Sequence, residues 1–562
     1  MTRSRFLMAH SARRFDTPFW LSAASGLLLW AALPPLDWWC LAWVAPVFWL
    51  RLVRQEVWRG RRPYVAIWFS SMLFWIAVLQ GIRLAHWANY LGLVALAAYL
   101  GIYVPLFIAV ARQAVHRWRL PLPLAAPLAW TGIELLRGYG PLGFSMATLA
   151  QTQVTCQRVI QVADLGGAYG ISFLVMTIAA CLVTAWSASH RRRRFGAALY
   201  ALSLLTLALV YGQVRLGQVP VGANQAPVRV ALIQGAIDTV FDDDPDRGRQ
   251  MLQQYMDLTD GACARYGPFD LVVWPESMFP LSDLQVEPGV DVQFDPTIDQ
   301  ALLDDSRILF DRLVCNGIGR VNDRAEEQRD RRSTSWLLGT TTWQFGAHPP
   351  RRYNAALVVN PAADVVARYY KMHPVMFGEY VPFGDVFPAL YDLFPLPNGL
   401  TPGTEPVAFA VGPLRFAPSI CFESTIPHLI RWHVAELARR GAAPDVLVNL
   451  TNDGWFWGSS ILDLQLGCAV LRAVELRRPL LVAANTGFSA WINGQGQILA
   501  QGPRRATGII VADVSADGRW SGYVQWGDGP AALCTLFCAA VTLAAAVSGW
   551  LRRRRSPSLA SR

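Results

Sequence analysis

Glu276 in the run Trp-Pro-Glu-Ser, Lys371 in Tyr-Tyr-Lys-Met-His and Cys421 in Ser-Ile-Cys-Phe-Glu place a carboxylate, an amine and a thiol in the order of a Glu-Lys-Cys acyl-transfer site. A free thiol with a pKa of about 8.5 is mostly protonated at neutral pH, so a nucleophilic cysteine needs a base beside it. Taken singly, each residue has a plainer reading: a buried structural cysteine, a carboxylate capping a strand end, a solvated lysine. Only the set points to chemistry.

The three lie far apart in the chain, so a fold must bring them together. From about Val228 to about Tyr523 short β-rich apolar runs alternate with Gly, Pro and charged clusters, the pattern of a globular domain. Runs starting at Val228, Asp270, Trp336, Ala355, Arg415, Asp445 and Leu480 read as buried strands, and Asp246 to Arg265 and Ile426 to Arg440 have helical spacing. The layout is α/β, with helices packed on sheets. Glu276, Lys371 and Cys421 each follow the end of a strand.

That domain is bracketed by apolar segments. In 562 residues, 53% hydrophobic, runs of spanning or nearly spanning length occur at 17–33, 37–50, 64–82, 91–111, 121–136, 166–187, 195–213 and 530–551. The expectation is a multi-pass α-helical membrane domain of about eight helices: about seven within 1–215, the extramembrane domain over 226–524, a last helix at 528–551 and a basic tail at 552–562. The connections alternate in charge. Arg3, Arg5, Arg13 and Arg14, then Arg51 to Arg62, Arg112 to Arg119, Arg191 to Arg194 and Arg552 to Arg555 mark the tails and even-numbered connections as cytoplasmic. The large domain then lies outside, on the periplasmic face in a bacterium. No small-residue cleavage site followed by a polar mature start is evident, so the first segment reads as an anchor.

The net charge of +10 comes from these arginine clusters and forms no amphipathic basic face, which argues against nucleic-acid binding. Nine cysteines without regular spacing make neither a disulfide framework nor a zinc site, and His373 has no second ligand at metal spacing. No metal or cofactor is expected.

Trp-Pro-Glu-Ser at Glu276, the Lys371 to Pro382 run ending Phe-Gly-Glu-Tyr-Val-Pro, and Ile-Cys-Phe-Glu at Cys421 resemble the nitrilase superfamily, which implies an αββα sandwich. Trp130, Glu134 and Arg137, the run Asn452-Asp453-Gly454-Trp455-Phe456, the later Arg472, Glu475, Arg477 and Pro479, and Asn485-Thr486-Gly487 narrow the resemblance to the apolipoprotein N-acyltransferase family. Glu134 and Arg137 alone would read as an intramembrane or interfacial pair, although ionisable groups there are expensive and often functional. The chain departs from the family pattern at Pro374-Val375-Met376, at Gly454, and at Gln465-Leu466.

The resemblance implies that Cys421 is the nucleophile, Glu276 the general base, and Lys371, with the backbone N–H of Phe422, the oxyanion stabiliser. Glu379 matches a glutamate that orients the lysine and substrate, and Glu423 one close to the site. It further implies two steps: a fatty acyl chain passes from a membrane phospholipid to the cysteine as a thioester, then to the α-amine of the N-terminal diacylglyceryl-cysteine of a lipoprotein. Phe383, Phe387, Tyr391 and Phe394 crowd the stretch after Glu379, and Trp455, Phe456 and Trp457 another; both are candidate lipid contacts, though the tryptophans also fit core positions. A lipid-facing site needs no partner chain, so a monomer in the bacterial inner membrane is expected. The charged run from Arg320 to Ser335 reads as a solvated insertion.

Two other classes fit parts of the chain. A membrane-anchored nitrilase-type amidase acting on a small amide or nitrile would not need so many helices or an aromatic rim. A transporter with an external ligand-binding domain would show charges or broken helices in mid-membrane, and these spans are mostly uncharged.

Overall fold

The structure is a computed structural model and describes residues 17–139, 143–238, 246–287, 300–327, 333–346, 350–384, 386, 387, 389, 391 and 399–555. Phe394 and the arginines before residue 17 lie outside the described residues. The chain divides into two units: Met1–Gln218 with Ser459–Gly467 and Ser521–Arg562, and Val219–Gly458 with Cys468–Trp520.

The first unit is helical. Among the described residues, five helices are long and apolar enough to cross a membrane: Pro63–Leu84, Asn89–Arg117, Ala163–Ser187, Arg191–Gly217 and Gly529–Leu551. Pro18–Ala32 is a shorter apolar helix, and Leu122–Gly138 contains Pro127. The stretch expected as one span over 37–50 is instead a 3-10 turn at Trp39–Trp43 followed by a nine-residue helix, Pro46–Arg54. Proline has no N–H for the preceding turn but suits a first helical position, so Pro46 starts a new helix. The helix Ala163–Ser187 is likewise interrupted at Gly166 and Gly167, where Gly167 has φ +66°. Just before that break, buried Asp164 accepts Tyr211 Oη at 2.7 Å and pairs with Arg215 at 2.7 Å. Glu134 accepts the N–H of Leu149, and Arg137 donates to the carbonyl of Met146 and lies 5.0 Å from the Trp75 ring centroid.

The second unit holds two sheets. In the first, strands run in the order β13 (Gly508–Val514), β1 (Val228–Gln234), β2 (Leu271–Val273), β4 (Ser335–Phe345), β5 (Arg351–Val359) and β6 (Val365–Tyr370), with β3 (Asp283–Val286) also paired to β4. In the second the order is β12 (Ile498–Gln501), β11 (Ala490–Ile492), β10 (Leu480–Ala484), β9 (Val446–Thr451), β8 (Leu414–Ile420) and β7 (Phe409–Val411). Period-two alternation divides β1 between two cores. Val230 and Leu232 join Leu271, Val273 and Val358 in a cluster with Phe416, Ile420, Val448, Leu450 and Leu481 of the second sheet, while Ala231 and Ile233 pack in a separate cluster with the helices Arg247–Tyr266 and Gln300–Glu327. Each fully buried branched side chain there contributes about 1.5–3 kcal/mol.

The first half of the charged run expected as an insertion, 320–327, belongs to the helix Gln300–Glu327. Phe310, Val314, Ile318 and Val321 fall on one face of it and are buried in the second cluster. Arg320 and Asp323, on either side of Val321, are exposed. Residues 328–332 lie outside the described residues.

β8, β9 and β10 are parallel neighbours. Helix Pro427–Arg439 joins the first two, burying Ile430, Val434 and Leu437, and helix Ile461–Leu476 joins the second two. These crossovers put the carboxyl ends of β8, β9 and β10 side by side, where polar groups gather.

Candidate active site

β2 ends at Val273, and Trp274 and Pro275 carry the chain to Glu276, a buried carboxylate. β6 ends at Tyr370, next to Lys371, which is 2% exposed. Lys371 Nζ donates to Glu276 Oε1 at 3.1 Å and to Glu379 Oε1 at 2.8 Å. Two side chains about a third of a domain apart in sequence thus meet on one amine. Burial alone would pull Lys371 down, but Glu276 and Glu379 outweigh it and hold the ammonium well above the usual lysine range. The amine is a fixed positive charge.

Asn354 of β5 binds both carboxylates from one amide, at 2.7 Å to Glu276 and 3.1 Å to Glu379. Glu276 Oε2 accepts the backbone N–H of Asn452 at 2.9 Å, and Glu379 Oε2 accepts that of Val375 at 2.7 Å. Both carboxylates are therefore held at two oxygens.

Cys421 follows β8 and opens a 3-10 turn, Cys421–Thr425, with φ +54°. This left-handed conformation is uncommon for a non-glycine residue and bends the chain sharply out of the strand. Burial, then the charge of Glu276, push the Cys421 thiol well up, with Lys371 opposing. At rest the sulfur is a thiol, so its proton must be taken as it reacts. Asn449 Nδ2 donates to the carbonyl of Cys421 at 3.2 Å and to Ser419 Oγ at 3.1 Å, fixing the elbow.

Glu423, fully buried, spans two segments. Oε1 accepts the N–H groups of Met372 at 2.7 Å and His373 at 3.1 Å, and Oε2 accepts Ile420 N–H at 2.7 Å and Tyr369 Oη at 2.8 Å. Phe422 is partly exposed, its ring stacked on His373 with centroids 6.2 Å apart.

The structure brings Glu276, Lys371, Glu379, Cys421, Phe422 and Glu423 into one neighbourhood. Of the aromatic candidates, Phe383 and Phe387 are exposed, at 75% and 61%, while Tyr391 is partly buried against the turns at Gly384 and Gly399. Trp455 and Phe456 are partly buried, and Trp457 is exposed with Arg505 4.7 Å from its ring centroid. Asn354 and Tyr369 escaped the sequence reading. Asn354 had a signal, a polar residue inside a run otherwise fit for burial. Asp453 was read only as part of a motif, and Thr451, just before Asn452, was not singled out.

Comparison with known proteins follows this division. The family model for the apolipoprotein N-acyltransferase N-terminal domain matches residues 25–181, and that for carbon-nitrogen hydrolase matches residues 229–519. The chain is 31% identical over 582 residues to the apolipoprotein N-acyltransferase of Rhodopirellula baltica, covering 96% of this chain and 99% of that one. It is 31% identical over 494 residues to that of Geobacter metallireducens, covering 87% and 85%. A solved amidase from Nesterenkonia sp. covers 53% of this chain and 94% of its own at 17% identity, with a TM-score of 0.35.

Proposed function

Because the chain belongs to the apolipoprotein N-acyltransferase family and carries a carbon-nitrogen hydrolase domain, its activity is lipoprotein N-acylation, and we propose that Cys421 carries the acyl group as a thioester taken from a membrane phospholipid. What supports this most is the amine of Lys371 bridging Glu276 and Glu379 close to a thiol on a left-handed elbow. The set provides a base, a permanent cation and a projecting sulfur.

In the first step Glu276 takes the thiol proton as sulfur attacks the ester carbonyl. The tetrahedral oxyanion is stabilised by the Lys371 ammonium and the N–H of Phe422, each such donor contributing about 3–4 kcal/mol. Collapse breaks the C–O bond, the proton on Glu276 goes to the departing alkoxide, and a lysophospholipid leaves. In the second step the α-amine of the diacylglyceryl-cysteine attacks the thioester, Glu276 accepts one of its protons, the C–S bond breaks, and that proton passes to the departing sulfur, restoring the thiol with an amide formed. Glu379 and Asn354 keep the amine and the base in register throughout. Exposed Phe383, Phe387 and Trp457 serve as lipid contacts, with partly buried Tyr391, Trp455 and Phe456 behind them and Phe394 assigned to the same role from sequence alone; excluding water there protects the thioester from hydrolysis.

We assign about eight membrane segments to 1–215 and 528–551, the tail 552–562 and the N-terminus to the cytoplasm, and the catalytic domain, 226–524, to the outer face of the bacterial inner membrane, acting as a monomer. The alternation of arginine-rich connections supports that orientation.

Incubation of the purified protein with phospholipid and mapping of fatty-acyl adducts by mass spectrometry tests the mechanism. An adduct is expected on Cys421 in the wild type and not in Cys421→Ala or Glu276→Gln, and a diacylglyceryl-cysteine peptide should discharge it. A wild type without the adduct would refute the thioester route.

A further inference from the structure

Asp453 is a buried carboxyl group to which the acyl-transfer steps give no task. It is 3% exposed and accepts the Thr451 hydroxyl on Oδ1 at 2.8 Å. Its other oxygen lies against Gly487, where an added β-carbon would fall 2.0 Å from Oδ2, so the carboxyl is closed in on that side. Thr451 ends β9, which runs parallel to β8 with Leu450 opposite Ile420. Thr451 therefore stands beside Cys421, the next residue along, and its hydroxyl acts to lower the thiol. Thiol, hydroxyl and carboxyl form a chain of three.

A hydroxyl has one proton to donate. An ionised Asp453 is an acceptor only and commits that proton to itself, which leaves the sulfur facing oxygen lone pairs and one more negative charge. A protonated Asp453 donates its own O–H to Thr451 instead. The Thr451 proton is then free to turn to the sulfur and stabilise a developing thiolate.

We propose that Asp453 is a positioning residue for the nucleophile, its proton deciding whether the Thr451 hydroxyl donates to the Cys421 sulfur. This rests on Cys421 being the nucleophile. The proton balance is simple: the thiol proton leaves to Glu276, Thr451 keeps its proton, and Asp453 keeps its own.

The surroundings bring the change between the two forms to near neutrality. Burial raises the Asp453 carboxyl to about 7, the Thr451 bond opposing and the charge of Glu276 adding to the rise. An ionised Asp453 in turn pushes the thiol up. The other charged groups of the site are already engaged: Lys371 with Glu276 and Glu379, and Glu423 with backbone N–H groups and Tyr369. The loop after β10 brings Asn485, Thr486 and Gly487 against this corner and no ionisable side chain, and Arg505, before β13, is bonded to Asp238.

The test is the rate of Cys421 alkylation by iodoacetamide in the full-length detergent-solubilised protein, followed by mass spectrometry from about pH 5.5 to 9. The wild-type rate should flatten through pH 7 as Asp453 ionises. Asp453→Asn removes the ionisation, so the rate should keep rising and its ratio to wild type should grow about three- to tenfold, the worth of one ordinary hydrogen bond. Thr451→Val should react more slowly and lose the flattening, and Thr451→Ser should restore it, which gives the same test if Asp453→Asn does not fold. Profiles of one shape in wild type and Asp453→Asn, or an unaltered profile in Thr451→Val, would overturn the proposal alone. A wild-type Cys421 that is never labelled would overturn the nucleophile reading with it.

Discussion

The carboxylate of Glu423 accepts the backbone N–H of Met372 at 2.7 Å, while its second oxygen accepts that of Ile420, also at 2.7 Å. One side chain thus ties the residue after the lysine to the residue before the nucleophile. Four donors converge on it, and a glutamine would turn an NH2 group toward two of them. Glu423→Gln should lower the rate of Cys421 acylation about 100-fold and cost roughly 2–3 kcal/mol of stability. Adduct formation and thermal midpoint check both, and an unchanged acylation rate would rule out the tie as a determinant of the site.

Removing the shared amine should be more damaging than removing either carboxylate's second contact. Lys371→Met leaves a buried and a partly buried carboxylate facing each other without a cation, a loss of about 3–5 kcal/mol in stability. Acylation should fall at least 100-fold where the protein still folds. Glu379→Gln keeps the Glu276 contact and should lose less of both. A Lys371→Met protein that acylates at the wild-type rate would exclude the amine as oxyanion stabiliser.

His433 gives the second unit an acid-sensitive position. It is 2% exposed, and burial lowers its pKa to about 4, against an unfolded value of 6.5. Between those values the unfolded chain binds a proton that the folded chain refuses. The stability it contributes is therefore present above pH 6.5 and lost as pH falls through 4, about 3 kcal/mol in all. The thermal midpoint of the wild type should drop more steeply from pH 7 to 4 than that of His433→Gln. Parallel curves would show that the imidazole does not titrate this way.

In the first unit, Asp164 and Arg215 make a buried pair at 2.7 Å with Tyr211 on the remaining oxygen. Arg215→Met should cost about 3–5 kcal/mol by stranding the carboxylate, and adding Asp164→Leu should recover part of that loss. Thermal unfolding of the two variants in detergent compares them. A double variant less stable than the single one would show that Asp164 is not stranded when Arg215 is removed.

Much of this was written in local pattern. Alternating residues of β1 and the apolar runs of β9 and β10 announce strands because each strand's burial is set by its own sequence. Glu276, Lys371 and Cys421 stood out through the residues flanking them. What stayed hidden depends on partners distant in sequence. Asn354 matters because β5 lies beside β6, and Asp453 because β9 lies beside β8. The stretch 37–50 divides into a 3-10 turn and a short helix because hydropathy counts apolar residues and overlooks one proline, and the run from Arg320 begins on a helix whose other face is buried.

The backbone of Cys421 at φ +54° strains an L side chain by about 1–2 kcal/mol and glycine hardly at all. Turnover and thermodynamic ease thus demand different amino acids at one position. A selection scoring only folded protein in the membrane should drift toward Cys421→Gly, enriching abundant, heat-resistant and inactive chains, so heat resistance is an unsafe proxy for fitness in directed evolution of this scaffold.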